Sequence, residues 1–224
     1  MWQKLQQDMS DKGFTVLAVA TDEPDAARPW IEAAKPSYPC LVDRDHHLDS
    51  LFNLVNVPQA IWIDENGRIV RPPENAGSDD GFRRMDRVTK TLAPEIVAER
   101  ARVKAAYFDA VRDWIEKGDC SEHVLDAQKA RENTRLPDEN VALSHAHFQL
   151  GQMLLRCGRT DEAERAFAEA SRLNPDSWSI WRQALAKDPA SGLATGPAFW
   201  ARLDALGDRP YYPPIDIKGL RKGV

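Results

Sequence analysis

Every strand-like run in this 224-residue chain falls before about Pro73, and the regular pattern after it is helical. A chain divided in this way must bury strands against helices in its first part and pack helix on helix in the second. Trp2, Leu5 and Met9 recur at helical spacing, and Gly13 supplies a left-handed stop. Residues 14–20 form an almost continuous apolar run, the pattern of a strand buried on both faces. Asp22 and Asp25 introduce a short helix through Trp30 and Ala34. Residues 38–43 are a second short extended segment, and residues 47–54 another helical stretch. Residues 59–63, the Asn66-Gly67 pair and residues 68–70 spell strand, tight turn and strand. The resulting alternation defines an α/β layer.

Residues 72–80, PPENAGSDD, read as a loop, and 81–92 as a helix. Ala93-Pro94 breaks it before a long helix over about 95–117. A further helix follows Ser121, with a capping start across 122–126. The expected division is an α/β part at 1–80, a helical part at 81–190, and a C-terminal helix with an extended tail at 191–224.

Composition removes whole classes of function. Net charge is −5 and the basic residues are scattered, so the electrostatic footprint of a nucleic-acid binder is missing. No apolar run approaches the ~20 residues of a membrane span. The start MWQKLQQDMSDKG lacks the pattern of a secretory signal, so the chain as written is expected in the cytoplasm. An extracytoplasmic place follows if a signal or anchor precedes it. Cys40, Cys120 and Cys157 are too far apart for C-x-x-C or zinc-type spacing, and their odd number leaves at least one thiol unpaired. No metal or cofactor site is read in the sequence.

In the helical part, Leu150, Gly151, Leu154, Ala163, Phe167, Ala170 and Pro175 fall on the signature positions of a helix-turn-helix unit of about 34 residues. Gly158 takes the turn, while His147 stands where a tryptophan is usual. The stretch 144–177 therefore resembles a tetratricopeptide repeat. Small residues let its helices approach and large ones fill the groove between them. Aligning Gly118 with Gly158 suggests a weaker earlier copy carrying Tyr107, Ala110, Val111, Trp114, Ala127 and Ala130. Residues 176–187, with Trp178, Trp181 and Leu185, would close the array. Such a groove implies a protein or peptide partner.

The α/β part is recognisable through FTVLAVATD, YPCLVD, VNVP and WIDENGRIV. It resembles a thioredoxin-fold redoxin of the ResA/TlpA-like or AhpC/TSA-like kind. The resemblance implies a cis Val57-Pro58 bond and a substrate-binding role for Val57 and Pro58. It also implies thiol-disulfide oxidoreductase chemistry that serves cell redox homeostasis. In such redoxins a strand and a C-x-x-C motif precede the helix that resembles WQKLQQDMSDKGF. The expected catalytic cysteines thus lie upstream of Met1, and the domain is expected to lack its central strand, between those resembling 14–20 and 59–63. Without that strand, two rows of backbone groups lose their partners, and the α/β part is expected to be only marginally stable.

Three origins fit: a longer true protein, a selenocysteine motif whose codon is read as stop, or a short protein that has lost its catalysis. Two functions follow. One is a truncated redoxin with a partner-docking repeat, inactive by itself because no low-pKa thiolate with a resolving thiol is present. The other is a repeat adaptor with a redoxin scaffold.

Single residues carry a sharp and a bland reading. Cys40 is either a redox thiol or a small hydrophobe in an extended segment. Cys120 sits at a helix start without a partner, and Cys157 reads as packing. Asp43, Asp45, His46 and His47 are either a metal-ligating cluster or a solvated loop, and the loop is the reading taken, since adjacent histidines point apart. Trp62 either lines a groove beside Pro58 or covers the sheet. The tail, with its Tyr-Tyr-Pro-Pro stretch, either folds back along the repeats or fills a groove as an internal peptide.

Overall fold

A computed structural model describes residues 1–134, 136–183, 185, 194–217 and 220. The helices are α1 (Trp2–Asp8), α2 (Pro24–Ala34), α3 (His47–Phe52), α4 (Pro94–Lys117), α5 (Ala127–Asn133), α6 (Glu139–Arg156), α7 (Thr160–Leu173), α8 (Trp178–Gln183) and α9 (Pro197–Asp204). The strands are β1 (Ala18–Ala20), β2 (Cys40–Val42), β3 (Gln59–Ile63) and β4 (Ile69–Asn75). The chain divides into two compact units, Met1–Val55 with Arg135–Trp181, and Asn56–Thr134 with Arg182–Val224.

In the first unit α1 buries Leu5 and ends in a tight turn that Gly13 closes at φ 71°. β1 pairs in parallel with β2, Ala18 opposite Cys40 and Ala20 opposite Val42. The apolar run 14–20 is not a strand buried on both faces. Only its last three residues are strand, and Leu17 is 57% exposed. Among the described residues β2 is the one partner of β1, and a strand needs cover on both faces before all its side chains dry. The α6–α7 pair follows the repeat spacing closely. Asp138 caps α6 by accepting from the Val141 amide at 2.8 Å, and Gly158 turns the chain at φ 72°. Phe148, Leu154, Ala163, Ala166, Phe167, Ala170 and Ile180 form its core. A Cβ on Gly151 would lie 2.6 Å from the Phe167 ring, so the small residue sets the helix approach. Leu150, by contrast, is 43% exposed. The closing helix is α8, whose Trp178 amide donates to the Val55 carbonyl at 2.7 Å. Part of its expected span, residues 184, 186 and 187, lies outside the described residues.

In the second unit β3 and β4 form the expected hairpin around Gly67, at φ 76°. The Asp64 carboxylate fixes that turn by accepting from the Asn66 and Arg68 amides. β4 runs on through Pro72 and Pro73 to Asn75, where the sequence suggested a loop. Opposite Ala60 to Trp62, β4 needs one residue more, Glu74 to Arg71, and such a bulge accommodates prolines that cannot join the ladder.

Two expected helices also change. Residues 81–92 are not a helix but a short 3₁₀ turn at Asp80–Arg84 and an irregular stretch. There the Asp86 side chain accepts from the Val88 and Thr89 amides, which draws the backbone out of helix. The helix after Ser121 begins only at Ala127, capped by Asp126. Ser121 instead donates to the Asp113 carboxylate at 2.7 Å. The earlier repeat copy does not form a helical hairpin, because α5 packs on β4 rather than along α4. Its aromatic residues serve the β-hairpin. Trp62 donates to the Tyr107 hydroxyl at 3.0 Å and stacks on Trp114 with ring centres 5.1 Å apart. Trp62 is buried here, which settles its bland reading.

Candidate functional site around Val57 and Pro58

Asn56 positions the site. Its buried side-chain oxygen accepts from the Val57 amide at 2.9 Å, and the Val57-Pro58 bond that follows is cis, as the family resemblance implied. The Pro58 carbonyl accepts from the Ala76 amide at 3.3 Å, so the end of β4 runs beside it. Val57 itself is 42% exposed.

The C-terminal tail reaches this position. Of its two expected places, residues 211–217 take that of an internal peptide. The Tyr212 hydroxyl donates to the Val57 carbonyl at 3.0 Å. The Asp80 carboxylate accepts from the amides of Tyr211 and Tyr212, at 2.8 and 2.7 Å. Asn56 donates to the Tyr211 carbonyl at 3.3 Å, and Asn75 to the Pro213 carbonyl at 2.6 Å. Arg71 donates to the Asp216 carbonyl at 3.1 Å, and Ile215 and Ile217 are buried. Upstream, Arg83 donates to the carbonyls of Gly207 and Arg209, and Arg87 pairs with Asp204 at the end of α9. The tail is thus held mainly by its backbone, through side chains of residues 56–87, with the Tyr212 hydroxyl adding a side-chain contact.

Burial sets the electrostatics. It pushes the Tyr212 hydroxyl well above its ordinary range, with Tyr211 adding to the shift, so Tyr212 stays a neutral donor. Glu74 is also pushed up by burial, against the opposing pull of Arg71. Arg71 is only 2% exposed; it grips both Glu74 oxygens at 2.7 Å and donates to the His123 carbonyl at 2.7 Å.

The other chemistry-bearing residues fall elsewhere. Cys40 belongs to the first unit, half-buried in β2 opposite Ala18. Burial, and then Cys40, raise the pKa of nearby Tyr38. Cys120 is exposed, and so is Cys157, which caps α6 instead of packing in the core. The stretch 43–47 is not simply a solvated loop. The Asp43 carboxylate accepts from the His47 and Leu48 amides at the start of α3, and Asp45 pairs with Arg156 at 3.0 Å. His46 is buried with its Nδ1 2.9 Å from Asp49, edge-on to Phe148. Reasoning from sequence missed Asn56, Arg71, Asn75 and Asp80. Two of them stand in a stretch that reads as loop, and a polar residue announces its burial by no local pattern.

Residues 1–71 match the AhpC/TSA family, and residues 144–188 match a tetratricopeptide repeat. The chain therefore joins a redoxin segment to a tetratricopeptide repeat. No curated protein and no solved structure matches it. Among the described residues, no helix is long and apolar enough to cross a membrane.

Proposed function

We propose that this chain is the substrate-binding and partner-docking portion of a redoxin-family thiol-disulfide oxidoreductase, whose redox-active thiols or selenol come from residues outside 1–224. The arrangement of strands carries the reading. β1 pairs with β2 and β3 with β4, in two separate two-stranded sheets. A redoxin sheet without the strand that joins these pairs has this pattern, and the exposure of Leu17, Leu41 and Val42 on the β1–β2 pair fits it. Val57 and Pro58 are the substrate-binding residues in this reading. The repeat at 144–177 is the docking element, with Leu143, Leu150 and Met153 exposed along α6 as apolar surface for a protein partner. Cys40 is assigned a structural role.

Insulin reduction or peroxide turnover by a form that includes the in-frame residues before Met1 tests the proposal. Thiol-dependent turnover is expected, and its absence overturns the oxidoreductase reading. The chain of 224 residues alone is expected to show no turnover above its Cys40→Ser variant, because its cysteines lack the required spacing. A non-catalytic adaptor is the second reading, favoured by the complete α6–α7 hairpin. It predicts partner capture that is indifferent to the redox state of the longer form.

A further inference from the structure

Successive backbone groups of residues 211–216 are gripped by side chains, as a receptor grips a peptide. Asp80 takes two amides; Asn56, Asn75 and Arg71 each take a carbonyl. Recognition of this kind reads an extended backbone, and specificity comes from pockets for individual side chains. One such pocket holds Tyr211. Its ring lies edge-on to Phe82 at 5.2 Å and to Phe199 at 6.0 Å, and its hydroxyl accepts from Arg182 at 3.2 Å. Ile215, four residues on, is buried as well.

The fit has one flaw. Asn75 is buried, yet its Oδ1 has no hydrogen-bond partner, and across the hairpin register the Oε1 of Gln59 has none either. A side-chain amide can both donate to the carbonyl and accept from the N–H of a single extended residue. Residue 213 is a proline and offers Asn75 only a carbonyl. An acceptor buried without a donor is costly, so a segment bearing an N–H at that place is held better than the tail itself.

We propose that Asn56, Asn75 and Asp80 form a peptide-reading groove beside Val57, and that the chain's own tail is its tethered, displaceable occupant. The ligand is an extended segment of a partner protein. It carries an aromatic residue at the place of Tyr211, an apolar one at the place of Ile215, and a residue other than proline at the place of Pro213. Only the position of a redox substrate beside Val57 rests on the function proposed above.

The test uses the full chain and a fluorescent peptide of residues 209–217, read by fluorescence anisotropy. The native chain is expected to bind weakly, because the tethered tail competes at high effective concentration. A Tyr211→Ala/Ile215→Ala variant, with its tail released, is expected to bind at least about tenfold tighter. A peptide carrying Pro213→Ala is expected to gain about threefold or more over the native sequence, and Asn75→Ala to erase that gain. Equal affinity of the native and released chains, or no binding to either, overturns the groove. Should the released variant lose its native circular dichroism, amide exchange in the native chain decides. Excess peptide then speeds exchange at Tyr211 and Tyr212, and unchanged exchange refutes displacement. No thiol takes part in these measurements. Peptide binding beside a redox-inactive longer form sinks the redoxin reading alone; an active longer form with no response to tail release sinks the groove alone.

Discussion

The α6–α7 pair and the β3–β4 hairpin achieve order by opposite means. The helical pair, joined at Gly158, buries apolar side chains of α6 and α7 together with Ile180 of α8, with the Phe167 ring set against Gly151. The hairpin is built around a charge. Arg71 is buried, paired with the half-buried Glu74 and satisfied by the carbonyls of His123 and Asp216, far along the chain. An apolar core loses stability by degrees as atoms are removed, whereas a buried charge is tolerated only while all its partners stay in place.

The largest effect should come from breaking the charged centre. Arg71→Ala leaves the half-buried Glu74 and the His123 and Asp216 carbonyls without their partner and is expected to cost about 3 kcal/mol in urea unfolding. Arg71→Met with Glu74→Leu should recover most of that loss, and a double variant as unstable as the single one would contradict this account. Gly151→Ala strikes the apolar pair, where the added methyl meets Phe167. A loss of about 1–3 kcal/mol is expected, and a neutral result would mean that the helices can separate freely. Ser144→Ala should cost less, about 1 kcal/mol, because the Ala170 carbonyl that accepts from Ser144 also accepts from the Asn174 amide.

The smallest effect is one of pH. Burial lowers the pKa of His145, helped by His46 and opposed by Asp49. The unfolded chain therefore takes up the proton first as pH falls. Stability present above about 6.5, the ordinary histidine value, is lost as the pH drops through the lowered value of the folded state. Thermal melting should come earlier at pH 5 than at pH 7, and His145→Gln should flatten the difference.

The same contrast decides what could be read from the sequence. The Asn66-Gly67 turn and the spacing from Leu154 to Ala170 are local patterns, and both elements form where they predict. Tyr107, Ala110 and Val111 have helical spacing and do lie in a helix, but spacing does not say what a helix packs on, so the earlier repeat copy was illusory. The PPEN stretch reads as loop because prolines disfavour strands, while a bulge in the pairing rescues it. Arg71, Asn75 and Asp80 were illegible as site residues, since each takes a partner from the tail, more than a hundred residues away. His46 reads as a surface histidine until Phe148 and Asp49 enclose it.

The path of the chain between its two units has a consequence for biosynthesis. The chain crosses from one unit to the other after Val55, again after Thr134, and again after Trp181. A ribosome therefore releases the opening residues long before α6 and α7 exist to complete their unit. The hairpin waits in turn for residues 211–216, which supply its partners. Neither unit is a contiguous stretch of sequence, so a gene fragment cut at the bounds of either family match would carry only part of a unit.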